Sequence, residues 1–284
     1  MSTTPLDYFS ALVAGTPEQG TIPLTEAAIS IAQDVYPRLD LAQVQSELDR
    51  MAVTLRTRLP ADASTVVRLR ALNQYFFREL GFQGNRNDYY DPDNTYLNKV
   101  LERRRGIPIS LAVLYMDLGE QIGLRLRGVS FPGHFLVKLT VRSGELFLDP
   151  LTGASLSRDE LEERLALYLE ARNLEVSTEL ALIPSVQEAS SRDILVRMLR
   201  NLKGIYHDRR EFERLLAVQQ RLVIVRPEVA EERRDRGLIY AQLECPRAAL
   251  DDLNAYLKEQ PGAPEAEDIR RTIAVLREAN DRLN

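Results

Sequence analysis

Tryptophan is missing from this 284-residue chain, which carries one cysteine, Cys245, and two histidines, His134 and His207. One thiol cannot close an internal disulfide or supply a multi-cysteine zinc site. Two histidines likewise exclude a His-rich metal centre. No apolar run approaches the roughly 20 residues that span a bilayer. The opening stretch, MSTTPLDYFSALVAGTPEQG, lacks the basic segment and long apolar core of a secretory leader. The expectation is a cytoplasmic protein with no membrane role. Basic charge is short as well: 37 Lys and Arg face 42 Asp and Glu, for a net charge of −5 and a pI near 5.4. That balance argues against general nucleic-acid binding.

Enough apolar sequence is present to fold in water, at 44% hydrophobic residues against 28% charged. The segments PLTEAAISIAQDVYP, LDLAQVQSELDRMAVTLRTRL and STVVRLRALNQYFFREL carry apolar residues at helical spacing and predict three helices before Gly81. A Gly-, Asn- and Asp-rich loop follows and leads into a short helix near Thr95 to Arg104. Its acidic residues, Asp88, Asp91 and Asp93, have neither the glycine nor the closing glutamate of an EF-hand, so no metal is expected there. Pro108 suits the first turn of a helix, and ISLAVLYMDLGEQIG after it is apolar nearly all round, which predicts a buried central helix. LRLRGVSF, HFLVKLTV and GELFLDP then alternate as strands of a small antiparallel sheet packed on that helix. SRDELEERLALYLE opens with a Ser157–Glu160 capping box and predicts a further helix. The composition changes near Pro184, which places a boundary between 178 and 190 and gives two domains, 1–185 and 186–284.

Past the boundary a 34-residue period appears. Tyr206 and Tyr240, Leu222 and Tyr256, and Pro227 and Pro261 all repeat at that spacing. Gly237 with Tyr240, then Ala249 and Pro261, resemble the tetratricopeptide repeat; the earlier copy has Lys203 where glycine is usual, and the last 22 residues resemble a capping helix. The resemblance implies either a peptide-binding concave surface or a helical brace, and two repeats with a cap suggest docking on the first domain or dimerisation. Cys245, in a turn between repeat helices, reads as an unreactive thiol.

Gly106-Ile107-Pro108, the buried helix, His134 and Asp149 together resemble the transglutaminase-like core. With YYDPDNTYLNKVLERRRGIPISLAVLY, GVSFPGHFLVKL and LFLDPLTG, the chain resembles the SirB-type bacterial proteins, in which such a core precedes tetratricopeptide repeats. The fold class this implies is α+β: helices and a papain-like core with a small antiparallel sheet, followed by an all-α repeat domain. In the transglutaminase-like core a cysteine opens the central helix, a histidine follows on the next strand, and an aspartate on a third orients it. The chemistry uses the helix N-terminus and His⁺ to stabilise a thiolate, while the acid fixes the imidazole tautomer. Laid on that pattern, Pro108 stands where the nucleophile belongs, and a two-residue shift brings Ser110 there instead. Neither frame supplies a thiol.

The leading expectation is therefore a thiol-less module that binds a peptide or protein partner in a regulatory role, with no cofactor. The alternatives are a serine-dependent amidase, protease or acyltransferase with Ser110 as nucleophile, His134 as base and Asp149 as orienter, and a scaffold that uses only its repeats. Asp149 before Pro150 reads equally as a turn former. Arg105, Pro108 and Phe131 are candidate ligand contacts at the cleft. For the run Arg103 to Arg105 the favoured reading is attraction to the negative pole of the preceding helix, and the other is an anion contact at the cleft mouth.

Overall fold

The computed structural model describes residues 4–14, 22–85, 87–142 and 144–283, which divide between two compact units. One lies within residues 16–198; the other joins 1–15 to 199–284.

In the first unit, α2 (Leu24–Ser30), α3 (Leu41–Arg56) and α4 (Thr65–Asn73) form the helical lead-in. Asp40 and Ser64 start α3 and α4 by accepting the N–H groups of Gln43 and Val67 three residues on, as N-cap side chains do. A π-helical turn, Gln74–Glu79, extends α4 to Gly81, whose φ of +72° ends it. Strand β1 (Gln83–Gly84) then pairs in parallel with β2 (Arg105–Gly106), and α5 (Leu97–Arg103) lies between them in sequence. The central helix α6 (Pro108–Gln121) has Pro108 in its first turn and buries ten of its residues. Close approach of strand to helix is set at Gly119, where a Cβ would fall 2.3 Å from a Leu126 methyl.

Four strands, β3 (Leu126–Val129), β4 (Leu136–Val141), β5 (Gly144–Leu148) and β6 (Ser155–Leu156), form an antiparallel sheet in that spatial order. Register is set by pairs such as Gly128 with Val137 and Val137 with Leu148. Helices α7 (Arg158–Ala171) and α8 (Thr178–Ser185) cover it, and Val129, Phe131, Leu136, Leu161, Leu165 and Leu182 form their shared core. The Ser157–Glu160 capping box starts α7 as the sequence predicts.

The region expected as a boundary, 178–190, is thus structured. Leu182 belongs to the core, and Ala189 donates its N–H to Gly128 O at 2.8 Å, extending the edge of β3. The division between units falls instead inside α9 (Ser191–Asp208). The sequence reading missed α1 (Pro5–Ala14), the β1–β2 pair, β6 and α8. The two-residue strands have no periodicity to detect.

In the second unit, α9 and α10 (Phe212–Val225) form one helix pair, α11 (Ala230–Gln242) and α12 (Pro246–Glu259) another, and α13 (Ala266–Leu283) follows. The 34-residue period is visible in the backbone. Arg210 and Glu244 are both left-handed, at φ of 56° and 55°, and the helix ends Arg226 and Gln260 share φ −127° and ψ 61°. Gly237 permits α11 and α12 to touch, since a Cβ there would meet Leu253 at 2.9 Å. Its counterpart Lys203 reaches outward and pairs with Asp235 at 2.6 Å. Helix α1 packs on α10, with Phe9 fully buried under the Arg221 guanidinium. No helix among the described residues is long and apolar enough to cross a membrane.

Candidate functional site

His134 sits on a tight turn between β3 and β4. Its N–H donates to Phe131 O at 3.1 Å, and Gly133 beside it has φ +71°. A Cβ at that glycine would also lie 3.0 Å from the Tyr168 ring, so residue 133 is confined in conformation and in space. Asp149 stands at the end of β5. Because β4 and β5 pair directly, the chain between these two positions, 15 apart in sequence, forms a hairpin that returns Asp149 Oδ1 to 3.2 Å from His134 Nε2.

The carboxylate is held on every side. Oδ1 also accepts the Leu151 N–H at 3.0 Å, Oδ2 faces Arg164 Nη1 at 3.3 Å, and the Asp149 carbonyl accepts the N–H groups of Thr152 and Gly153. Burial pushes the Asp149 carboxyl upward. The hydrogen bonds from His134 and Leu151 and the charges of His134 and Arg164 outweigh it, so the net shift is below the ordinary carboxylate value. Asp149 is therefore both a turn former and the partner of His134.

Ser110 is elsewhere in its bonding. Its side chain is fully buried, and its hydroxyl is 2.6 Å from Asn94 O and 3.0 Å from Ile107 O. It also accepts the Ile107 N–H at 3.1 Å. A hydroxyl with one proton surrounded by two carbonyls is a fastening at the start of α6, and His134 is not among its hydrogen-bond partners. Asn94, fully enclosed, is the hub it fastens to: the Asn94 amide donates to Asp88 O and Tyr89 O and accepts from Asn85.

Two of the expected ligand contacts are turned away. Phe131 is 0% exposed in the core under α7, two residues past the end of β3 and in one cluster with Val129. Arg105 donates to the carbonyls of Gly81 and Arg104, binding β2 to the turn before β1. Pro108 is partly exposed at the start of α6. Arg103 pairs with Asp91 at 2.7 Å and with Asp93, so the acidic loop neutralises it. Among the described residues no three His, Cys, Asp or Glu side chains converge as a metal site. Cys245 is exposed, with its sulfur beside Leu243 O.

A family model described as the transglutaminase-like superfamily matches residues 42–200, more than half of the chain. The chain belongs to this superfamily. A tetratricopeptide repeat model matches residues 202–274. The chain is 38% identical over 269 residues to a UPF0162 protein of Xylella fastidiosa, covering 94% of each. It is 31% identical to Protein SirB1 of Salmonella typhimurium, over 91% of this chain and 94% of that one. With the UPF0162 protein YchA of Escherichia coli K12 it shares 30% identity, over 88% and 91%. No solved structure matches it.

Within this transglutaminase-like core, the His–Asp geometry is joined by residues that sequence reasoning missed. Arg164 and Tyr168 lie four apart on α7, one face of one helix, so that Arg164 meets Asp149 while Tyr168 meets Gly133. That spacing was available in SRDELEERLALYLE. Arg197 on α9 donates to Phe131 O at 3.1 Å and to His134 O at 2.8 Å, holding both ends of the histidine turn. No local pattern marks it, because its partners are backbone carbonyls more than 60 residues away.

Proposed function

We propose that this transglutaminase-like protein binds a peptide or protein segment at the His134–Asp149 cleft, as a thiol-less regulatory module in the cytoplasm. The observation that carries the reading is the start of α6. Pro108, at the position the family pattern gives to the nucleophile, has no nucleophilic atom, and Ser110 is fully buried with its hydroxyl bonded to Asn94 and Ile107. The histidine, its carboxylate and the cations around them are an array suited to recognition, since Asp149 is held by three partners and Arg197 by two, which limits reorganisation on binding. The tetratricopeptide repeats support an interaction role, because such repeats generally mediate contact between proteins.

The test is enrichment from a peptide library on the immobilised full chain, repeated with His134→Ala. An enriched sequence that the variant loses supports the reading. No enrichment from the library, or fluorophosphonate labelling that disappears in Ser110→Ala, overturns it.

A further inference from the structure

Arg197 is a cation that no carboxylate among the described residues answers. Of its five N–H donors, two go to the carbonyls of Phe131 and His134, and its guanidinium lies over the Phe135 ring at 5.7 Å. The other side-chain cation at the cleft, Arg164, is answered by Asp149. Among the described residues no carboxylate pairs with Arg197; the titratable groups acting on it are the hydroxyls of Tyr89 and Tyr168, and burial pulls its pKa below the ordinary arginine value. A desolvated guanidinium is costly unless an anion or a full set of acceptors meets it.

Its surroundings are also open to a ligand. Arg197 is only partly buried, and Tyr89, one of the groups that acts on it, is 57% exposed. Tyr89 stacks edge to face with Tyr90, itself 69% exposed, at 5.3 Å between ring centres. The loop that carries this pair is tied down by Asn94 and, through Asn94 O, by Ser110. An exposed aromatic pair, one ring of which acts electrostatically on a partly desolvated arginine, combines an apolar platform with a charged anchor.

We infer that Arg197 is the anion-recognition residue of the cleft, and that the segment bound there presents a carboxylate, from an acidic side chain or a chain terminus, with an apolar side chain against Tyr89. This rests on the peptide-binding reading above and gives the peptide its chemistry. Arginine suits the role because its planar donors receive both carboxylate oxygens while its other edge keeps the turn carbonyls.

The experiment follows the Arg197 Nε–H resonance of the ¹⁵N-labelled full chain, identified by its loss in Arg197→Met. The chain is titrated with the tripeptide acetyl-Leu-Ala-Glu carrying a free C-terminus, and separately with its uncharged counterpart, acetyl-Leu-Ala-Gln amide. The acidic peptide is expected to shift the resonance saturably and to bind at least about tenfold more tightly than the amide, the value of one charge-assisted hydrogen bond. Arg197→Met is expected to remove that difference. Arg197→Lys, which keeps the cation, is expected to keep part of it, which separates lost recognition from a loosened histidine turn. Equal binding of the two peptides, or an unaltered preference in Arg197→Met, overturns the inference while leaving peptide binding intact. Failure of both peptides overturns it too; the library enrichment then decides separately whether the cleft binds peptides of other chemistry.

Discussion

Replacing Ser110 with alanine is the sharpest test of how the start of α6 is built. The hydroxyl accepts the Ile107 N–H and donates to Asn94 O, both deep in the core. Removing it leaves one buried donor and one buried acceptor short of a partner, each worth about 1–3 kcal/mol if wholly unsatisfied. They are not wholly unsatisfied, because the Ile107 N–H also points at Asn94 O at 3.3 Å and can tighten onto it. The cavity is a single oxygen in size. The expected cost is therefore about 1–2 kcal/mol, or roughly 3–6 °C in the melting temperature of a unit this large. Circular dichroism in urea is the suitable measurement, since the chain has no tryptophan to report. A variant as stable as the parent would refute the fastening role.

The carboxyl of Asp149 is held below its ordinary value in the fold, so its stabilisation is present above the usual carboxylate range and fades as pH falls through the depressed value. Asp149→Asn should thus cost about 1–3 kcal/mol near neutral pH, with the gap to wild type closing below about pH 4 in urea midpoints taken across pH. Phe131→Ala should destabilise the first unit by about 3–5 kcal/mol, as a large core truncation does, and calorimetry would show it. Glu244→Gly and Arg210→Gly each relieve a left-handed non-glycine residue and should raise stability by about 0.5–1 kcal/mol in thermal melts.

Much of the cleft was readable because its parts follow local rules. Pro108 marks a first turn, the apolar run after it marks a buried helix, and alternation marks the strands that return Asp149 to His134. Ser110 shows where such reading stops. Its place near a helix start favours a cap and still admits a nucleophile, and Asn94, 16 residues earlier, is the partner that the local pattern does not reveal. Phe131 shows the same limit, since FPGHF does not say which face of the turn meets α7. Arg103, read as answering the pole of its own helix, pairs with Asp91 and Asp93, because explicit carboxylates within reach outweigh a partial charge. Arg197 was invisible because it serves carbonyls.

The packing of α1 on α10 bears on how the polypeptide matures at the ribosome. Phe9 and Val13 are translated before the transglutaminase-like core, yet α10, which covers their helix, is translated only after it. Until then those side chains stay in water, available to a chaperone. A shortened chain ending before α10 would never retire them, so aggregation of such a fragment would report an orphaned N-terminal helix rather than a misfolded core.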